Sequence, residues 1–186
     1  SEGLIVELDQ WGEPGAYLQA GEGVAGIGEG NAGRVLAAMS ISGTIRRVDF
    51  DTESEALETV IKHGDGNAYP VDCGVLEDGT IIVTDSSSRQ VLFLSDLGEI
   101  GGGVQGFSFE SPFGVSCLDD RFILVTDSEH GLVAVFDLKG DFLFTLGEGI
   151  LEVPTFLDST PEGLVCVSDA GRMTVEVFRI GAVSAD

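Results

Sequence analysis

Positive charge is scarce in this sequence. Lysine occurs only at Lys62 and Lys139, and nine Lys and Arg face 32 Asp and Glu, for a net charge of -23. A surface that holds a phosphate backbone needs the opposite sign, so nucleic acid is not expected as a partner. Histidine is rarer still. His63 and His130 stand far apart in the chain, and a zinc centre would need cysteine ligands beside them. Cys73, Cys117 and Cys166 cannot all pair with one another, and each sits in an apolar stretch where a free thiol packs as a small core group. No apolar run approaches the ~20 residues of a membrane helix, so no membrane span is expected. No secretory leader is read at the start, and Ser1 in place of Met points to processing or to a segment boundary. A sustained 3.6-residue apolar stripe is missing too. Residues 56–63 (ALETVIKH) are the one candidate for a short helix, but Thr59, Val60 and Ile61 permit a strand.

What is present is a repeat. Pro70, Pro112 and Pro154 are spaced by 42 residues, as are Asp85, Asp127 and Asp169, and Val83, Val125 and Val167. Thr84, Thr126 and Ser168 follow the same spacing, and so do Val91, Val133 and Val175. Within a unit, runs such as 81–83 (IIV) and 122–125 (FILV) suit strands buried on both faces. Turn residues separate them, among them Asp78-Gly79, Asp119-Asp120 and Lys139-Gly140-Asp141. A period in the 40s with four strands per unit predicts an all-β fold, a β-propeller of four-stranded blades. With 43% hydrophobic residues in 186, one domain with an ample core is expected.

Residues 127–147 (DSEHGLVAVFDLKGDFLFTLG) resemble the NHL repeat, and 112–115 (PFGV) resemble its start. Residues 85–94 (DSSSRQVLFL) match its middle, with Arg89 at the position where the family often carries Arg; Gly131 and Met173 stand there in the next two units. The resemblance is strongest over 70–147, extends through 154–180 and fades before 64. It implies a propeller that binds through one face. RNA binding, a property of some members, is disfavoured here by charge.

The units fall at about 21–69, 70–111, 112–153 and 154–180. The first is a worn copy, with its second strand at 34–39 and its third at 45–50. Its glycine-rich stretch 21–33 contains a formal G-x-G-x-x-G, but Gly28, Gly30 and Gly33 deny the helix that a dinucleotide site needs. The fourth unit reads as three strands. Strands within 3–20 are surplus, and residues 16–20 are expected to complete the last blade and so remove an exposed edge. Residues 16–180 span 165 positions, close to four periods, which supports four blades. The alternative is a piece of a larger ring, because residues 4–8 (LIVEL) resemble the third strand 175–178 (VEVF).

Asp85, Asp127 and Asp169 each end a second strand and are expected to accept backbone N–H bonds from the turn that follows. No Ser, His and acid combination reads as an activated nucleophile. Metal-dependent NHL-like lyases use several His, and gluconolactonase-like propellers use a Glu/Asn/Asp calcium site. Neither set maps onto a chain with two His, and Asn only at Asn31 and Asn67. No cofactor is therefore expected, with calcium through Asp65, Asn67 or Asp72 as the alternative. The inter-blade loops and the turns after the second strands should share one face. They bring together Tyr69, Arg89, Phe107, Phe109, His130 and Arg172, residue types that protein-binding surfaces use. Phe107 and Phe109 could instead fold back between blades. The expected function is a non-catalytic binding or assembly module whose partner is another protein or a copy of itself. The alternative is a propeller enzyme of the lactonase or lyase kind with a calcium site. The acidic surface suits an extracellular or cell-envelope location, or the cytoplasm of a halophile.

Relief of repulsion among the carboxylates should make the protein more stable in salt. The melting temperature is expected to rise between low and molar NaCl, and no change would contradict this. A rise with micromolar calcium but not with sodium would instead mark a specific calcium site.

Overall fold

The computed structural model describes residues 3–8, 11–29, 35–48, 55–63, 66–118 and 121–181. Asn31, Arg34, Asp65 and the Asp119-Asp120 turn lie outside the described residues. The strands run in chain order. A hairpin of β1 (Gly3–Leu8) and β2 (Pro14–Gly21) comes first. The first four-stranded sheet holds β3 (Val24–Glu29), β4 (Val35–Met39), β5 (Thr44–Val48) and β6 (Glu55–Val60). A short hairpin, β7 (Lys62–His63) and β8 (Gly66–Asn67), follows. The second sheet holds β9 (Pro70–Val75), β10 (Ile81–Asp85), β11 (Gln90–Leu94) and β12 (Ile100–Gly103). The third holds β13 (Pro112–Leu118), β14 (Phe122–Asp127), β15 (Leu132–Phe136) and β16 (Phe142–Leu146). The last has three strands, β17 (Pro154–Ser159), β18 (Leu164–Asp169) and β19 (Thr174–Arg179). All pairing within the sheets is antiparallel between neighbours in sequence, and no helix occurs among the described residues. Residues 55–60 form the outer strand of the first blade, as their β-branched residues allow.

The second and third sheets bury both faces, and the alternation of side chains shows how. Along β10, Ile81 and Val83 face the first blade, in a cluster with Leu36 and Ile45. Ile82, between them, faces the third blade and packs with Ile123, Val125 and Phe136. Along β15, Val133 and Val135 face the fourth blade, where Val165 and Val167 meet them. A strand between two neighbours must therefore be apolar at every position, which explains the continuous runs. Each fully buried aliphatic side chain contributes roughly 1.5–3 kcal/mol.

The inner strands β3, β9, β13 and β17 approach one another most closely. A Cβ on Gly28 would lie 1.9 Å from the Cys73 carbonyl oxygen, and one on Gly26 would lie 2.5 Å from the Val71 oxygen. Gly26, the last glycine of the formal G-x-G-x-x-G, and Gly28 just beyond it thus let β3 lie against β9. Cys73 is buried as expected, whereas Cys117 and Cys166 are only half-buried.

The expected pairing of residues 16–20 with the last blade does not form. β2 pairs with β1, with Ile5 opposite Leu18 and Val6 opposite Tyr17. Closing a short loop between adjacent strands costs less chain entropy than joining strands four blades apart. Ile5 then packs on Ala37 and Met39 of the first blade, so the hairpin lies over that blade's free face.

Gly28→Ala should destabilise the protein by about 1–3 kcal/mol through backbone overlap. Gly101→Ala, where the nearest atom to a new Cβ is 4.0 Å away, should stay within about 0.5 kcal/mol. Chemical denaturation of both variants checks the contrast.

Candidate functional site: the loop face

Three buried carboxylates organise one end of the blades. Asp127, at the end of β14, accepts N–H bonds from Glu110 at 2.9 Å and Ser111 at 3.1 Å, both in the loop that enters the third blade. It also accepts from Glu129 and His130, each at 3.2 Å, in the turn before β15. Asp169 repeats this with Glu152 and Val153 on one side and Gly171 and Arg172 on the other. Asp85 binds the Tyr69 and Ser87 N–H groups, and the hydroxyls of Ser87 and Ser88. Each Asp thus ties an inter-blade loop to a turn, a wider role than the turn alone. Burial raises the pKa of all three, but the hydrogen bonds to the ionised form outweigh it and hold the carboxyls below their ordinary value. In the first blade Met39 takes this place, opposite Thr44 as Asp85 is opposite Gln90, so the carboxylate tie is absent there and Ser40 bonds the Gly23 carbonyl instead.

The turns share a second feature. Gly43, Arg89, Gly131 and Met173 all have positive φ, from 56° to 67°. A left-handed residue closes this turn in every blade, and glycine fills it without strain in two of them. Arg89 and Met173 adopt it at some cost.

Of the expected site residues, Tyr69 is half-exposed, and Arg89 reaches the surface and pairs with Glu110. His130 is partly exposed, with its Nδ1 held 2.8 Å from Asp127 Oδ2 and its ring against Phe107. Arg172 is exposed on the Asp169 turn. The two phenylalanines behave differently. Phe109 is 7% exposed, in the core with Phe136, and is not a surface residue. Phe107 is half-buried, stacked on Phe142 with ring centroids 5.4 Å apart. They seal the space between the second and third blades, because loop residues with no polar partner for a ring fold inward. Phe107 keeps one edge at a groove of about 800 Å³ that Arg89 and Ser108 also line.

Glu110 was not singled out from the sequence; its signal was the lone acid beside Phe109, 21 residues from Arg89. The inner-strand cavity was also not foreseen. It has a volume of about 540 Å³, and Asp72, Ser116, Cys117, Asp158 and Ser159 are among its lining residues. Asp72 is buried, its oxygens taking the N–H of Cys73 and, across the blade boundary, of Val115, each at 3.0 Å. Burial against these two bonds pushes its carboxyl up to about 6. The same burial, with the Asp72 charge, pushes the Cys73 thiol up. Of the calcium candidates, Asp65 lies outside the described residues and Asn67 is placed in β8. Asp72 offers a carboxylate already occupied by backbone donors. Among the described residues, no three His, Cys, Asp or Glu side chains converge as a metal-binding group. No helix there is long and apolar enough to cross a membrane.

Comparison with known proteins bears on this arrangement. The human E3 ubiquitin-protein ligase NHLRC1 is 34% identical over 83 residues, 45% of this chain. That stretch is similar to an NHL-repeat protein, and the fold is a β-propeller. No family model matches the chain. The β-propeller domain of Myceliophteria thermophila Cps50 (Swd1) superimposes with a TM-score of 0.71 at 12% identity, over 99% of this chain and 60% of that one. Virginiamycin B lyase from Staphylococcus aureus gives 0.65 at 13% identity, over 98% and 64%. The matched stretch covers 19% of the length of NHLRC1, and the propeller spans under two thirds of either structure.

The carboxyls of this propeller predict opposite pH effects. Asp85, Asp127 and Asp169 stabilise the fold above their unfolded pKa, and that contribution is lost as pH falls through their lowered folded values. Asp72 titrates near 6 when folded against an ordinary 3.8, so its contribution is full below 3.8 and is lost as pH rises through 6. The melting temperature should therefore fall at strong acid, and Asp72→Asn should flatten the decline between pH 4 and 6 set by that shift. Asp127→Ala should cost about 3 kcal/mol at neutral pH by stranding its buried donors. Melting curves across pH check all three.

Proposed function

We propose that this propeller is a non-catalytic binding or assembly module that recognises another protein, or copies of itself, through its loop face. The observation that carries the reading is the set of Tyr69, Arg89, His130 and Arg172, all solvent-accessible. Tyr69, His130 and Arg172 donate their N–H to a buried carboxylate, and Arg89 follows the Ser87–Ser88 turn that Asp85 holds. Holding Tyr and Arg in place before contact lowers the entropy cost of binding, and these residues supply much of the energy at protein interfaces. The likeness to an E3 ubiquitin-protein ligase supports a protein as the partner class. The acidic surface supports an extracellular or cell-envelope setting, with a halophile cytoplasm as the alternative.

One observation favours a second reading, an enzyme of the lyase or lactonase kind. His130 is oriented through Nδ1 by a fully buried Asp127, which leaves its other ring nitrogen for proton transfer.

Tyr69→Ser with Arg89→Gly should leave the melting temperature unchanged or slightly higher, because glycine relaxes the left-handed turn. The same variant should lose proteins captured by the wild type from its own source, as read by mass spectrometry. Turnover of lactones with calcium that His130→Ala abolishes would replace the binding reading with the enzymatic one.

A further inference from the structure

The fourth blade exposes what the other blades bury. Val133 and Val135 on β15 are 0% exposed because the fourth blade covers them. One repeat on, Val175 and Val177 on β19 are 64% and 59% exposed. A polar position tells the same story. Thr84 donates its hydroxyl to the Phe113 carbonyl of the next blade, and Thr126 donates to the Thr155 carbonyl of the next. Ser168, at the same position in the fourth blade, donates to Phe156 of its own blade. Among the described residues, β19 pairs on one side only, with β18. Both the face and the edge are therefore shaped for a following β-layer.

The N-terminal hairpin offers such a layer. The hairpin of β1 and β2 buries Ile5 on the first blade and turns Val6 and Leu8 outward, with Leu8 60% exposed and Trp11 beyond it 78% exposed. Its charge is complementary. Residues 1–33 hold six acids and no Lys or Arg, whereas residues 172–180 hold Arg172 and Arg179 against Glu176 alone. In a protein with net charge -23, that makes β19 and the turn before it, though not the fourth blade as a whole, a locally basic strip that can receive this chain's own acidic hairpin.

From this we infer that a second copy of the chain docks head to tail, with the apolar face of its N-terminal hairpin laid on Val175 and Val177 of the fourth blade. The inference rests on the reading of this chain as an assembly module, but uses a surface apart from Tyr69 and Arg89. Such a contact joins two different patches, so it is heterologous and leaves one free head and one free tail until a ring closes.

The test uses light scattering during gel filtration. Wild type should run as a dimer or larger. Val175→Ser with Val177→Ser (tail) and Leu8→Ser with Trp11→Ser (head) should each be monomeric, with circular dichroism unchanged. Mixed, the two variants should give a 1:1 dimer and nothing larger, since one intact head meets one intact tail. Arg179→Glu should weaken association about tenfold at low salt. Tyr69→Ser with Arg89→Gly should associate as wild type, even where loop-face capture fails. A monomeric wild type, single-face variants that still associate, or a mixture that stays monomeric would each overturn the inference.

Discussion

A buried carboxylate with more donors than it needs is the constraint on which the loop face depends. Asp127 and Asp169 each gather four backbone N–H groups from two separate segments. Those donors would otherwise be stranded near the core, where an unmet N–H costs more than a net hydrogen bond gains. One side chain per blade therefore sets both the path of the chain into the blade and the shape of the turn above it. Residues displayed on these turns inherit that rigidity. Where the first blade carries Met39 instead, the carboxylate tie is gone, and Ser40 bonds the Gly23 carbonyl in its place.

The second constraint is coverage. A blade between two neighbours is apolar on both faces and remains stable only while both are covered. The hairpin of β1 and β2 meets this need for the first blade, through Ile5 on Ala37 and Met39. The inner strands meet it at the narrow end by glycine, with Gly26 and Gly28 against β9 and Gly114 against the Thr155 carbonyl of β17. The exposed valines of β19 are the exception to this rule, and the exception gives them their interest.

Much of this was legible in the sequence because the repeat carries it. The Pro, Val and Asp positions recur since each blade solves the same local problem of strand start, buried strand and loop tie. Tyr69, Arg89, His130 and Arg172 were expected on one face because each lies in a loop or turn beside a recurring Asp, and Tyr69, His130 and Arg172 do donate an N–H to it. Phe107 and Phe109 could not be resolved in that way. A phenylalanine in a loop is equally consistent with display and with inward packing, and only the ring contacts with Phe136 and Phe142 decided it. Asp72 was visible as an acid in an apolar strand, but its bond to the Val115 N–H, 43 residues on, was not.

By itself the sequence determined strand order, blade period and the place of the Asp at each turn, because these depend on residues near one another in the chain. Tertiary structure alone decided which partner the N-terminal strands took. Residues 16–20 were the spare strand that the last blade lacked, yet β2 joined β1, since a neighbour in sequence wins when the entropy of loop closure is compared. It likewise decided which valines are core. Val133 and Val175 are the same residue at the same place in the repeat, and whether a layer lies over them is a fact about the neighbouring blade rather than about either residue.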